Sequence, residues 1–197
     1  MKNLLILIIT VIFLSLGGNV FAQKNINKKS NNNKNISLTN VSQPLKTWSE
    51  FASDEGKFRI LFPGETTTKI TDEGSLRTVS QRYVSTEISF AVSYTDIYTK
   101  SGIKSSETLE SLKNMISRNG NLISQTKISL KGIDGWEIVY EKSGQNIFIH
   151  RIFVTGNRWY EAIALYESFI NEPFRVSYTR NSLSLNKFFD SFQIENN

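Results

Sequence analysis

From Lys57 onward apolar residues recur at every second position, and that period constrains the fold more than any other feature of the chain. Phe58, Ile60 and Phe62 alternate with Lys57, Arg59 and Leu61 until Pro63-Gly64 closes the run. Successive side chains of a strand point to opposite faces, so the pattern reads as a strand with one face turned inward. Val79, Gln81 and Tyr83 share one face of a second strand, and Ile88, Phe90, Val92 and Tyr94 one face of a third. Further strands are expected over 122–131, 136–142, 147–154 and 159–166. Asp134-Gly135, Ser143-Gly144-Gln145-Asn146 and Gly156-Asn157 read as the turns between them.

The period changes twice. Leu109, Leu112, Met115 and Ile116 fall on one stripe of a helix that Ser105 or Ser106 can cap and Gly120 can end. Leu185, Phe188, Phe189 and Phe192 repeat at helical spacing and predict a second amphipathic helix. The expected class is α+β: an antiparallel sheet of about six to seven strands flanked by helices, an α/β/α sandwich.

The N-terminus carries a different message. Lys2 precedes a 13-residue apolar run, Leu4 to Leu16, broken only by Thr10 and Ser15, and Val20-Phe21-Ala22 offers a cleavage site. That is the three-part pattern of a secretory signal peptide over 1–22. A spanning helix needs about 20 apolar residues, and Gly17-Gly18-Asn19 interrupts this run first. The expected location is exported through a cleaved signal peptide, periplasmic or secreted. Residues 23–47 are rich in Asn and Lys and lack hydrophobic periodicity, which reads as a disordered linker. The folded domain is expected over 48–197.

Charge is unevenly distributed. The chain carries a net +5, but Lys24, Lys28, Lys29, Lys34 and Lys46 sit in the linker, where there is no carboxylate. From residue 48 onward 17 basic residues face 18 acidic ones. The domain therefore presents no electrostatic case for nucleic acid. The linker lysines offer a contact to an anionic membrane surface, worth at most ~1 kcal/mol each. With no cysteine, disulfides, lipid attachment at a cleavage-site Cys and thiolate chemistry are all excluded. The domain must rest on its core, and a domain of about 150 residues buries some two-thirds of its chain surface.

Several stretches together resemble the PsbP-like fold family: WSEFASDEGKFRILFPGE at 48–65, SFAVSYTDI at 89–97, GIDGWEIVYE at 132–141, HRIFVTGNRWYEAIAL at 150–165 and NKFFDSFQI at 186–194. That family is named for an extrinsic subunit of photosystem II and includes many small exported bacterial proteins. The resemblance spans about residues 48–194 and rests on turn and packing motifs. It implies an antiparallel sheet between helices and a non-catalytic role in binding or assembling other proteins. It supplies no family-wide catalytic residue. In the opening motif, Asp54-Glu55-Gly56 reads as the turn and Pro63-Gly64 as the stop that begins a sheet.

His150 is the only histidine, so any Ser-His-Asp type of chemistry has one centre. A two-residue Gly156-Asn157 loop pairs Thr155 with Arg158 and Ile152 with Glu161. A Gly144-Gln145 turn pairs Val139 with His150 and Glu137 with Ile152. On that register His150, Glu137, Glu141 and Glu161 project from one face, their backbones within ~7–8 Å. Such a cluster can bind a divalent cation or act as a general base, and it equally fits a histidine simply paired to one carboxylate. No catalytic residue, metal or cofactor is assigned on it. The opposite face gathers Trp136, Ile138, Tyr140, Ile149, Phe153, Tyr160, Ala162, Ala164 and Tyr166 with Arg151, either an apolar pocket or a face for the second helix to cover. Phe169, Phe174 and Tyr178 lie in a stretch without period and are candidates for a contact surface.

No phosphate loop, Gly-x-Ser-x-Gly elbow or dinucleotide fingerprint is present. The expected function is a monomeric, exported binding module of the cell envelope with a protein partner. The alternatives are a carrier of a small apolar ligand and a His150-centred enzyme or metal protein.

Overall fold

The computed structural model describes residues 47–98, 104–143, 145–167 and 174–195, except for the side chains of 174–177 and 179–180. The expected signal peptide, the linker to residue 46 and Phe169 lie outside the described residues, as does the side chain of Phe174. The architecture is α+β. Seven antiparallel strands form the main sheet: β3 (Thr67–Glu73), β4 (Leu76–Tyr83), β5 (Ile88–Ile97), β6 (Asn121–Leu130), β7 (Ile133–Lys142), β8 (Asn146–Thr155) and β9 (Arg158–Glu167), in the order β3-β4-β5-β9-β8-β7-β6. Helix α1 (Ser105–Ile116) packs on β7 and β8, and α2 (Phe174–Asp190) lies over β9 and β2 (Phe58–Phe62). A second, three-stranded sheet, β1-β2-β10, joins Ser49–Ser53, Phe58–Phe62 and Gln193–Ile194. Among the described residues no helix is long and apolar enough to cross a membrane.

The alternation of FRILF at β2 is functional packing. Phe58, Ile60 and Phe62 are buried, and the rings of Phe58 and Phe62 meet Tyr94, Tyr160, Phe192 and Phe188 at centroid separations of 5.5–6.3 Å. Phe188 of α2 stacks on Phe90 of β5 at 4.4 Å. One face of the main sheet is thereby filled by α2 and β2, with Val92, Ile149, Ala162, Ala164 and Tyr166 beneath them. The opening motif begins not the main sheet but this small one, which explains why β1 and β10 escape a reading based on alternation: β1 is mostly exposed and β10 has two residues. The Gly56 N–H donates to Ser53 Oγ at 2.9 Å. A Cβ on Gly56 would sit 2.7 Å from atoms of Phe58, Ser53 and Tyr94, so the turn is pressed flat against the sheet by a residue that has none.

Two turns differ from expectation. Lys131-Gly132, both at positive φ (49° and 84°), make the β6–β7 hairpin, with Leu130 paired to Ile133. These are the dihedral signs of the two-residue hairpin loop. Asp134-Gly135 instead lies inside β7, where a Cβ on Gly135 would come 2.5 Å from the Ile152 carbonyl and the Phe153 ring. Glycine here permits close strand approach rather than a turn. At α1, Lys104 occupies the N-cap without a side-chain capping bond, and the Ser105 hydroxyl donates to the Gly156 carbonyl at 3.2 Å. Thr108, Leu109, Leu112 and Ile116 face inward, and Met115 is only half-buried.

Gly135→Ala places its methyl against backbone and ring atoms that cannot swing aside. It is expected to lower stability by about 1–3 kcal/mol, measured as a lower urea midpoint with unchanged slope.

Candidate functional site

The β8–β9 hairpin forms as expected: Gly156 adopts φ 58°, Thr155 pairs with Arg158, and Ile152 with Glu161. The β7–β8 hairpin does not. Lys142 pairs with Asn146, so residues 143–145 form the loop, with Ser143 at φ 60°. The extra loop residue shifts the register by one, and in a sheet that sends every side chain of β7 to the other face. Ile138, not Val139, lies opposite His150, and Glu137 lies opposite Arg151.

This divides the expected cluster. His150 and Glu161 stay together beneath α1. Glu137 and Glu141 turn to the α2 face, where Glu137 accepts from Arg151 Nε at 2.8 Å. Glu141 sits near the far end of β7, paired with Ile147 and Asn121. The described residues contain no group of three His, Cys, Asp or Glu placed to hold a metal ion. In exchange the shift delivers Tyr140, which the expected register assigned to the other face.

The resulting constellation is a short buried line. His150 Nδ1 lies 2.6 Å from Glu161 Oε1, and Nε2 lies 3.2 Å from the Tyr140 hydroxyl. A carboxylate only accepts, so Nδ1 carries the hydrogen facing Glu161, and Nε2 and the Tyr140 hydroxyl share the second hydrogen bond. The imidazole stacks on Tyr140 (5.4 Å, 22°), which stacks on Phe148 (5.1 Å, 6°). His150 and Tyr140 are 0% exposed and Glu161 5%. Burial pushes the Tyr140 phenol well above its ordinary value, and the Glu161 charge adds to the rise. Carboxylate, imidazole and hydroxyl are in the order that nucleophilic catalysis uses. The hydroxyl is a phenol that burial keeps protonated, however, and all three side chains are buried.

A second polar group closes the end of the sheet. Arg158 forks onto both oxygens of Asp96 (2.6 and 2.8 Å) and donates to the Glu55 carbonyl at 2.7 Å. Its guanidinium lies 4.5 Å from the centre of the Tyr94 ring. Arg77 pairs with the Glu55 carboxylate and donates to the Tyr94 hydroxyl at 3.3 Å. The hydrogen bond from Arg77 holds the exposed Glu55 carboxyl below its usual range. An open polar cleft of about 630 Å³ adjoins these residues, bounded by Lys57, Thr155, Asn157 and Glu195. Asp54-Glu55-Gly56 therefore does double duty as turn and latch. On the α2 face, a smaller groove of about 280 Å³ runs beside β6, lined by Ile128, Leu130, Arg151, Phe153, Phe189 and Phe192. The aromatic face is otherwise filled, with Ala162 and Ala164 at 0% exposure. Tyr178, a candidate surface residue, is half-buried against the same core.

One signal for the true register was present in the chain. Pairing Lys142 with Asn146 sets Glu137 opposite Arg151, an opposite-charge cross-strand pair.

No family model matches the chain, and no curated protein does. Among solved structures it is similar to the cyanobacterial PsbP, CyanoP, of Synechocystis, with 7% sequence identity, 78% of this chain and 95% of that one covered, and a TM-score of 0.50. It also aligns with a Bacteroides thetaiotaomicron protein at 11% identity, 75% and 48% coverage and a TM-score of 0.41. A protein of unknown function from Pseudomonas aeruginosa aligns at 10% identity, 71% and 91% coverage and a TM-score of 0.37. The chain shares the fold of CyanoP.

His150→Leu strands a buried carboxylate and is expected to cost about 3–5 kcal/mol. The double variant His150→Leu/Glu161→Leu removes the stranded charge and should lose less than the single one in urea unfolding. The Tyr140 phenol predicts an alkaline effect. Its folded pKa lies above the unfolded value near 10, so its contribution is complete below pH ~10 and falls as pH rises further. Tyr140→Phe should therefore flatten the alkaline decline in stability by about one proton, measured by urea titration between about pH 9 and 11. Other raised phenols (Tyr94, Tyr160 and Tyr178) leave a residual slope.

Proposed function

We propose that the chain is an exported, non-catalytic binding module of the PsbP-like kind, working in the cell envelope through contact with another protein. The single observation that carries this reading is the burial of the His150–Glu161–Tyr140 line, 0–5% exposed. The one group of catalytic composition among the described residues serves the interior. The fold shared with CyanoP supports membership of the PsbP-like fold family, and the N-terminal apolar run before Val20-Phe21-Ala22 supports export. The near-neutral charge balance from residue 48 onward favours protein over nucleic acid as partner.

A second reading keeps one foothold. The groove beside β6, about 280 Å³ with five apolar or aromatic side chains and Arg151 at its rim, is close to the lower size of a small-molecule site, about 300 Å³. A carrier would hold a small apolar ligand there.

Native mass spectrometry of the protein purified gently from its own host separates these readings. The binding-module reading expects the mass of residues 23–197 alone, and chemical cross-linking in the same extract should yield a discrete protein adduct. A reproducible small-molecule excess would overturn it in favour of the carrier.

A further inference from the structure

The main sheet ends at β6, and no described strand pairs with its outer side. An edge strand presents a row of backbone donors and acceptors that another strand can complete. The register shift at Leu122/Ser124 disturbs the first turn of this edge, but from Ser124 to Leu130 the pairing with β7 is regular. Seven residues therefore offer a straight template.

The two faces of that template differ in chemistry. On the α2 side, Ile128 and Leu130 border the groove completed by Phe153, Phe189 and Phe192. The charges bordering this groove are already matched: Arg151 binds Glu137 at 2.8 Å and Asp190 at 3.6 Å, and its guanidinium lies 4.7 Å from the Phe189 ring centre. On the α1 side stands Lys127, exposed, its ammonium 5.7 Å from the Trp136 ring centre. Lys131 follows at the exposed turn. From Asn121 to Lys131 the edge carries cations and no carboxylate.

Successive side chains of an added strand would fall alternately on these two sides. Those on one side would enter the apolar groove, and those on the other would pass Lys127. We propose that β6 is the docking edge for an extended segment of a partner protein whose residues alternate apolar and acidic, added as an eighth strand. This deepens the binding-module reading and rests on it. The opposite edge, β3, carries Asp72 and Glu73.

The test uses the full chain, labelled with ¹⁵N, titrated with the peptide Val-Glu-Val-Glu-Val-Glu-Val. Amide shifts are expected to concentrate on Ser124–Leu130. The same peptide methylated at alternate backbone nitrogens should not bind, because it cannot complete the ladder. Replacing its glutamates by lysines should weaken binding about five-fold, and Lys127→Glu, an exposed change, should invert that preference. The proposal is overturned if millimolar peptide leaves β6 unshifted, if the shifts fall at the cleft near Arg158, or if the methylated peptide binds equally. It is also overturned if β6 shifts with protein concentration alone, which would make the edge a contact between copies of this chain. A cross-linked protein partner that maps to another surface would sink this edge while leaving the binding-module reading in place.

Discussion

A sheet covered on both faces obeys one strict constraint: each residue belongs to one face or the other, and moving the register by one exchanges them all. In this chain the loop at residues 143–145 decides that exchange for β7. Because it holds three residues rather than two, Tyr140 and Ile138 lie under α1 beside His150, and Glu137 meets Arg151 under α2. Each placement satisfies a polar group that would otherwise be costly to bury. His150 finds a carboxylate on one side and a phenol on the other, and Arg151 finds Glu137 and Asp190.

The two faces divide the work of stability. The α2 face is aromatic: Phe58, Phe62, Phe90, Phe188 and Phe192 interlock through tilted and stacked ring contacts, and the small β1-β2-β10 sheet carries part of that cluster. The α1 face mixes apolar burial with the His150 line and is tied at its margin by Trp136, whose Nε1 donates to Glu110 at 3.1 Å beneath Lys113. A chain without cysteine has no covalent substitute for these contacts. Its surface consequently holds what the interior does not use: the β6 edge with its groove, and the polar cleft beside Arg158.

Much of this was legible. The strands of the main sheet from β4 onward follow from period-two runs, and the Gly156-Asn157 loop correctly joins Ile152 to Glu161 because a two-residue loop leaves no freedom of register. The helix stripe Leu185–Phe189 announces what covers the aromatic face. Other elements were hidden for physical reasons. β3 and β1 lie at sheet edges and are largely exposed, so burial imprints no alternation on them. Gly135 resembles a turn residue, and only the approach of the Ile152 carbonyl reveals why it is glycine. The His150 site is half legible: the Gly156-Asn157 loop places Glu161, but Ser143-Gly144-Gln145-Asn146 admits two loop lengths, and only the one that sets Glu137 opposite Arg151 brings Tyr140 to His150.

The sole histidine is an interior tie, buried between Glu161 and Tyr140. Carbethoxylation by diethyl pyrocarbonate reads this directly, because His150 is the only imidazole in the chain. The account predicts that the absorbance change near 240 nm stays flat in the native protein and appears only when denaturant unfolds it, with mass spectrometry confirming that the adduct is on His150. Rapid modification of His150 in the folded chain would show an accessible imidazole and contradict the account.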